Sequence, residues 1–350
     1  MSLMDAFTAY NKGDYATALG LLRPRADQGD ARAHYNLGLM YAQGQGVTRD
    51  DAQASFWFRK AADQSDANAQ FRLGLMYAQG RGVPQNYAAA VSWFRKAADQ
   101  GNALAQFNLG AMYATGQGVP QDYAAAVSWY RKAAEQGYAR AQYNLGFRYD
   151  NGQGVPQDYA AAVSWYRKAA DQGNANAQHN LGFMYATGQG VPQDYAAAVS
   201  WYCKAADQGV ADAQYNLGFM YATGQGVPRD DAQALFWFRK AADQGDARAQ
   251  FSLGLMYAQG RGVLQDYVQA YMWLNLAAAK GDARAQFSLG LMYAQGRGVP
   301  QDYVQAHMWL NLAAANGDAD AIKNRDIVAK KMTPAQIAEA QKMAREWKPK

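Results

Sequence analysis

Residues 103–138 read ALAQFNLGAMYATGQGVPQDYAAAVSWYRKAAEQGY, and this stretch recurs along the chain at a fixed step of 36 residues. The glycine of its Leu-Gly pair stands at 38, 74, 110, 146, 182, 218, 254 and 290, and its tryptophan at 57, 93, 129, 165, 201, 237, 273 and 309. A fixed period of this length marks a solenoid, in which each repeat buries its apolar face only against its neighbours. Ala105, Leu109, Met112 and Tyr113 fall three and four apart and define one face of a helix A, from about Asn102 to Thr115. Gly116 supplies the left-handed residue that ends it, and Gly118 lets the chain turn back. Val119 is read as an apolar plug for the end of the hairpin. Pro120 is expected in the first turn of the next helix, where its missing N–H costs nothing, with Asp122 as the cap. Helix B then presents Tyr123, Ala126, Val127, Trp129, Tyr130, Ala133 and Ala134 on one side, and Gly137 closes it.

Gly110 is out of place by propensity alone. A mid-helix glycine costs about 1 kcal/mol against alanine, yet it recurs in every repeat. Close approach is the physical reason: the missing side chain lets helix B lie against helix A, under an aromatic ring. Small residues at 103, 105, 133 and 134 serve the same packing. The chain is therefore read as all-α, eight 36-residue helical hairpins beginning at Ala31, Ala67, Ala103, Ala139, Ala175, Ala211, Ala247 and Ala283.

The order A-x-A-Q-x-x-L-G-x-x-Y, then G-x-G-V-P-x-D-Y-x-x-A, then W-Y-x-K-A-A-x-Q-G closely resembles the Sel-one-like repeat, a relative of the tetratricopeptide repeat with a longer loop between its helices. The resemblance implies a right-handed α/α superhelix and a protein-binding scaffold or adaptor, with no catalytic chemistry. It also implies that the concave surface is lined by helix-A residues one, three and four positions around from the packed stripe.

The formal charge is +5, but the cations are spread through helix B as pairs such as Arg131-Lys132, the pattern of a solvated face. Nucleic-acid binding would want a clustered basic stripe, and none occurs before the C-terminal tail. The single cysteine, Cys203, cannot form an intramolecular disulfide. No apolar run approaches a membrane span. Met1 to Leu3 reads as an added or re-engineered start ahead of Asp5-Ala6-Phe7; family resemblance favours a periplasmic or secreted protein, with a cytoplasmic one as the alternative.

The whole chain, 1–350, is read as one elongated domain with atypical ends. Residues 1–30 form a capping hairpin in which Leu21 replaces the tryptophan and Pro24 disturbs the helix. Residues 31–318 hold the eight repeats, and 319–350 the C-terminal cap. The last two repeats carry Trp273-Leu274-Asn275-Leu276 and Trp309-Leu310-Asn311-Leu312, an apolar face that wants cover. Ala319 begins a ninth helix A, and Thr333-Pro334-Ala335-Gln336 is a capping box for a final helix whose inner stripe is Ile337, Ala340, Gln341, Ala344 and Trp347.

Enzymatic chemistry has little to stand on. His34, His179 and His307 occupy different positions within their repeats, with no metal-ligand spacing and no triad order. The G-x-G loops follow a helix rather than a strand, so they are turns and not a nucleotide fingerprint. No cofactor and no metal are expected. A lactam-hydrolase-like enzyme and a secreted host-interaction factor are the competing classes.

The resemblance places the binding face on helix A, where the candidate residues are Phe107, Asn108, Arg140, Tyr143, Asn144, Phe147, Arg148, His179, Asn180, Phe183, Tyr215, Asn216 and Phe219. The asparagines at 108, 144, 180 and 216 form a row that could pair with the backbone of an extended peptide, or could tie helix A to the adjacent hairpin. The aromatic row could equally be inter-repeat core. Arg148 replaces a methionine and Asp150 an alanine, a clustered departure that suggests a local specificity feature or drift. The expected partner is another protein or an extended peptide, with no nucleic acid and no membrane insertion, and the chain is expected to be a monomer.

Overall fold

A computed structural model describes residues 3–315 and 317–349. Among these residues are twenty α-helices and no strand, in two compact units, Met1–Asn174 and Ala175–Lys350. The first unit opens with α1 (Leu3–Asn11) and α2 (Tyr15–Asp27). Repeats 1 to 4 follow as α3 (Ala31–Gln43) with α4 (Asp51–Ala62), α5 (Ala67–Gln79) with α6 (Tyr87–Asp99), α7 (Ala103–Thr115) with α8 (Tyr123–Glu135), and α9 (Ala139–Asn151) with α10 (Tyr159–Asp171). The second unit holds repeats 5 to 8: α11 (Ala175–Thr187) with α12 (Tyr195–Asp207), α13 (Ala211–Thr223) with α14 (Asp231–Asp243), α15 (Ala247–Gln259) with α16 (Tyr267–Ala279), and α17 (Ala283–Gln295) with α18 (Tyr303–Ala314). It ends with α19 (Ala319–Ala329) and α20 (Pro334–Glu346). Within each unit, helix A packs on its own helix B and on the helix B before it, the arrangement of a solenoid.

The local chemistry follows the repeat. Asp122 accepts the N–H of Ala125 at 2.9 Å and caps α8, while Gly116, at φ 73°, ends α7 in the left-handed conformation. Leu109 is buried in one core with Ala90, Phe94 and Ala97 of α6, and Ala126, Ala133 and Ala134 in another with Ala141 and Leu145 of α9. A Cβ built on Gly146 would stand 2.8 Å from Cδ1 of Tyr166. The equivalent glycines meet an aromatic ring in repeats 1 to 6, and Leu274 or Leu310 in the last two. The second loop glycine sets the step between repeats. At Gly154, φ is 77°, and a Cβ would lie 2.3 Å from the carbonyl carbon of Tyr123, at the start of the preceding helix B. No side chain fits there.

A buried polar ladder reinforces the step. Gln142 donates to the carbonyl of Ala134 at 3.1 Å, tying α9 to the end of α8, and accepts from Gln172 at 2.7 Å. The same pair recurs as Gln100 with Gln70, Gln136 with Gln106 and Gln244 with Gln214. Each fully bonded buried amide keeps its desolvation cost small. In repeat 1, His34 takes the glutamine's place, its Nε2 2.8 Å from the Ala26 carbonyl and its Nδ1 3.1 Å from Gln64 Nε2.

Several expectations need correction. Pro120 lies ahead of the cap Asp122, outside the first turn of α8, so it stiffens the loop rather than starting the helix. α2 runs through Pro24. On α20, Ala340 and Ala344 are buried, but Gln341 is exposed and Met343 takes part in the core instead, because positions 340, 343, 344 and 347 share one face. The capping box is present: Thr333 Oγ1 accepts from Gln336 N at 3.3 Å, and Gln336 Oε1 accepts from Thr333 N at 2.9 Å. The cap covers only one of the two apolar helices. α20 joins α18 in one core through Met308 and Trp309, with the Trp309 and Trp347 rings 6.2 Å apart, whereas Leu276 on α16 stays 45 % exposed.

Candidate protein-binding faces

Helix A is fixed on one side by the buried Ala and Leu of each repeat, joined by a buried Met in every repeat but the fourth, so its remaining positions divide between the seam and the solvent. In the first unit, Phe107 is half-buried, its ring 5.7 Å from Tyr130 and 5.2 Å from Tyr138. Tyr143 lies against Tyr166 in the same way, at 5.9 Å. Asn108 donates to the Leu104 carbonyl of its own helix at 2.7 Å. Asn144 is half-buried, while Arg140 and Phe147 are exposed. Arg148 turns into the seam. Its guanidinium lies 4.8 Å from the Tyr123 ring centre and donates to Gln153 Oε1, and its charge offsets part of the upward push that burial gives the Tyr130 hydroxyl. Asp150 accepts from the Tyr166 hydroxyl at 3.0 Å, and its burial raises the carboxyl above the ordinary range. These two departures thus serve tyrosine hydroxyls of helix B, which in repeats 1, 2 and 6 are replaced by Phe58, Phe94 and Phe238.

In the second unit, His179 packs 5.8 Å from Tyr202. Its Nδ1 lies 3.1 Å from Asn180 Oδ1, and its Nε2 lies 3.2 Å from Asn216 Nδ2. These partners fit a neutral ring that donates from Nδ1 and accepts at Nε2, and burial pushes the imidazole pKa down. Two of the asparagines are therefore engaged with one histidine, Asn180 beside it on α11 and Asn216 two helices along on α13. Tyr215 lies 5.7 Å from Phe238 and carries the Arg248 guanidinium 4.5 Å from its ring centre. Arg248 is held by Asp212 at 2.5 Å and by Asp246.

Phe183 and Phe219 stand 45 % exposed. They wall two adjoining depressions. One, of about 220 Å³, lies between Phe183 and Phe219 with Tyr202, Asn216 and Met220 beneath; the other, of about 230 Å³, lies between Phe219 and Leu255 with Phe238 and Met256 beneath. Thr187, Gln225, Thr223, Ser252 and Arg261 give them polar edges. The first unit has a comparable depression of about 270 Å³ between Leu39 and Leu75, edged by Arg72, Arg81 and Asp51. The phenylalanines stand out in the sequence, whereas Thr187, Thr223 and Arg261 carry a weaker signal, Gln standing at the equivalent positions of several sister repeats.

Among the described residues there is no group of three His, Cys, Asp or Glu that could hold a metal ion. No helix of the described residues is long and apolar enough to cross a membrane. Cys203 is half-buried, and burial raises its thiol pKa, so the reactive thiolate is disfavoured.

Comparison with known proteins places this arrangement. The chain is similar to a solved structure of a Sel1 repeat protein from Oxalobacter formigenes, at 38 % identity and a TM-score of 0.67, over 87 % of this chain and 88 % of that one. It is also similar to a protective antigen of uropathogenic Escherichia coli strains that displays an SLR fold, at 33 % identity and a TM-score of 0.54, over 99 % of this chain and 94 % of that one. No curated protein matches the chain significantly. Proteins built on this repeat are in general protein-interaction scaffolds, and the fold is typically non-catalytic. The Sel1 repeat model matches eight times in succession, at 31–66, 67–102, 103–138, 139–174, 175–210, 211–246, 247–282 and 283–318, and the chain belongs to the Sel1-repeat family.

Proposed function

We propose that this protein is a non-enzymatic adaptor that acts as a monomer and holds a peptide or extended segment of another protein against the exposed face of its A helices. The observation that carries the reading is the pair Phe183 and Phe219, large aromatic side chains nearly half in water and set beside apolar depressions. Burying such surface is favourable, and aromatic anchors in pockets carry most of the energy at protein interfaces. The threonine, serine and glutamine edges supply groups that can pair with a peptide backbone. Phe107, Asn108, Arg140, Tyr143, Asn144 and Phe147 offer a corresponding face in the first unit, where Phe147 is the exposed aromatic and Arg148 is taken up by the seam.

The test is selection of a displayed peptide library on the intact protein, followed by affinity measurement on the Phe183→Ala and Phe219→Ala variants. Each should lose about 2 kcal/mol, roughly thirtyfold in affinity, with only a small fall in melting temperature because both side chains are nearly half in water in the free protein. Phe236→Ala, on helix B, is the control and should bind as the parent does. Peptides that ignore both phenylalanines would place the binding face elsewhere.

A further inference from the structure

A second surface lies on the B helices. In repeats 2 to 5 the outward row of helix B is polar; in repeat 3 it reads Ala124, Ser128 and Lys132. In repeats 7 and 8 it becomes Val268, Met272, Leu276 and Val304, Met308, Leu312. The spacing of four puts each trio on one ridge of its helix. The two ridges are nearly identical in sequence and opposite in environment. On α18, Met308 is only 5 % exposed because α20 lies over it, bringing Ala340, Ala344, Met343 and Trp347 into the same core. On α16, Val268, Met272 and Leu276 are all about half in water, and Leu264 stands exposed just ahead of the helix where repeats 2 to 6 and 8 carry proline.

We propose that the α16 ridge docks one amphipathic helix from a partner protein, built on the pattern that α20 presents to α18. That pattern is two alanines four apart, flanked by Ile337 and Met343, with Glu339, Lys342, Arg345 and Glu346 turned to solvent. Small residues let the two helices approach closely, while larger neighbours fill the gaps on either side of the ridge. Charge agrees with this choice. α16 has no charged residue, so it offers nothing to an acidic or basic face, whereas Lys96, Lys132, Lys168 and Lys204 occupy the Leu276 position in repeats 2 to 5. Size argues against a second whole copy as occupant. Three half-exposed side chains and Leu264 fall well short of the ~800 Å² per partner that a stable dimer needs, and match the footprint of one helix. The surface is distinct from the helix-A face proposed above, and the two can fail independently.

The probe is a fluorescein-labelled peptide of residues 331–348, KMTPAQIAEAQKMAREWK, titrated against the full chain and followed by anisotropy. Binding in the micromolar range is expected, weakened at least tenfold by the double substitution Met272→Lys with Leu276→Lys, while the melting temperature and the affinity for helix-A ligands stay as in the parent. Binding that the double variant leaves intact would mean that the peptide competes with the resident α20 on α18, and would overturn the proposal. Absence of binding at millimolar peptide would do the same. Sedimentation velocity covers the remaining occupant: a dimer of the parent chain that the double variant abolishes would make a second copy the ligand, and the proposal would be wrong.

Discussion

In repeat 4 the outward row of α10 reads Ala160, Ser164 and Lys168, with the Lys168 ammonium 4.0 Å from the Trp165 ring centre; in repeat 7 the same row of α16 reads Val268, Met272 and Leu276. Beneath it, Gly146 lies under a tyrosine and Gly254 under Leu274. Tyr166 donates its hydroxyl to Asp150, whereas repeat 7 pairs Leu274 with Ala258 and needs no acceptor. The glutamine ladder differs too. Gln172 donates to Gln142 in repeat 4, but in repeat 7 the donor's position is Lys280, which bonds the Gly245 carbonyl and leaves the buried Gln250 Oε1 without a partner. The backbone is the same in both. A few glycines, caps and apolar positions hold the hairpin and its step, and everything else is free to vary with the surface each repeat presents.

The strongest way to break that comparison is at a position both repeats share. Gly154→Val and Gly262→Val each put a β-branched residue at positive φ, where a Cβ would lie 2.3 Å from the backbone of the preceding helix B. Strain and overpacking together should cost about 3 kcal/mol or more at either site, read as a lowered denaturant midpoint. If repeat 7 tolerated the change and repeat 4 did not, the step between repeats would not be set by this glycine. A smaller effect is expected at Asp150, which only repeat 4 carries. Asp150→Ala removes the acceptor of the Tyr166 hydroxyl and should cost about 1 kcal/mol. A double-mutant cycle with Tyr166→Phe checks the pairing: additive losses would show that the two groups are not coupled. The smallest effect sharpens the comparison by repair. Lys280→Gln should restore the ladder by donating to Gln250 and raise stability by about 0.5–1 kcal/mol. A lower melting temperature for that variant would argue that Lys280 stabilises repeat 7 through the Gly245 carbonyl.

Much of this fold was legible residue by residue. Gly110 betrayed the close approach of the two helices because a mid-helix glycine has no local benefit, and its Cβ would lie 2.8 Å from the Tyr130 ring. Asp122 and the Thr333 capping box were readable because a cap acts within a few residues of itself. Pro120 and Gln341 were misplaced by short distances, since loop geometry and the exact face of a terminal helix depend on what they pack against. The candidate binding face was legible only as a row of positions. His179, Asn180 and Asn216 form one hydrogen-bonded group that joins α11 to α13, a pairing that spans 37 residues and has no local signature.

The sequence by itself determined the period, the helices, their ends and the buried stripe of each hairpin. All of these follow from spacings within one repeat, and eight copies state them eight times. Only the tertiary structure decided which of the remaining side chains face water. Arg148 and Phe147 are neighbours in sequence, yet one enters the seam over Tyr123 and the other stays exposed. Met272 and Met308 hold the same place in the repeat, yet one is half in water and the other lies under α20. Exposure is a property of the neighbour that arrives from elsewhere in the chain, and a repeating pattern cannot say where that neighbour stops.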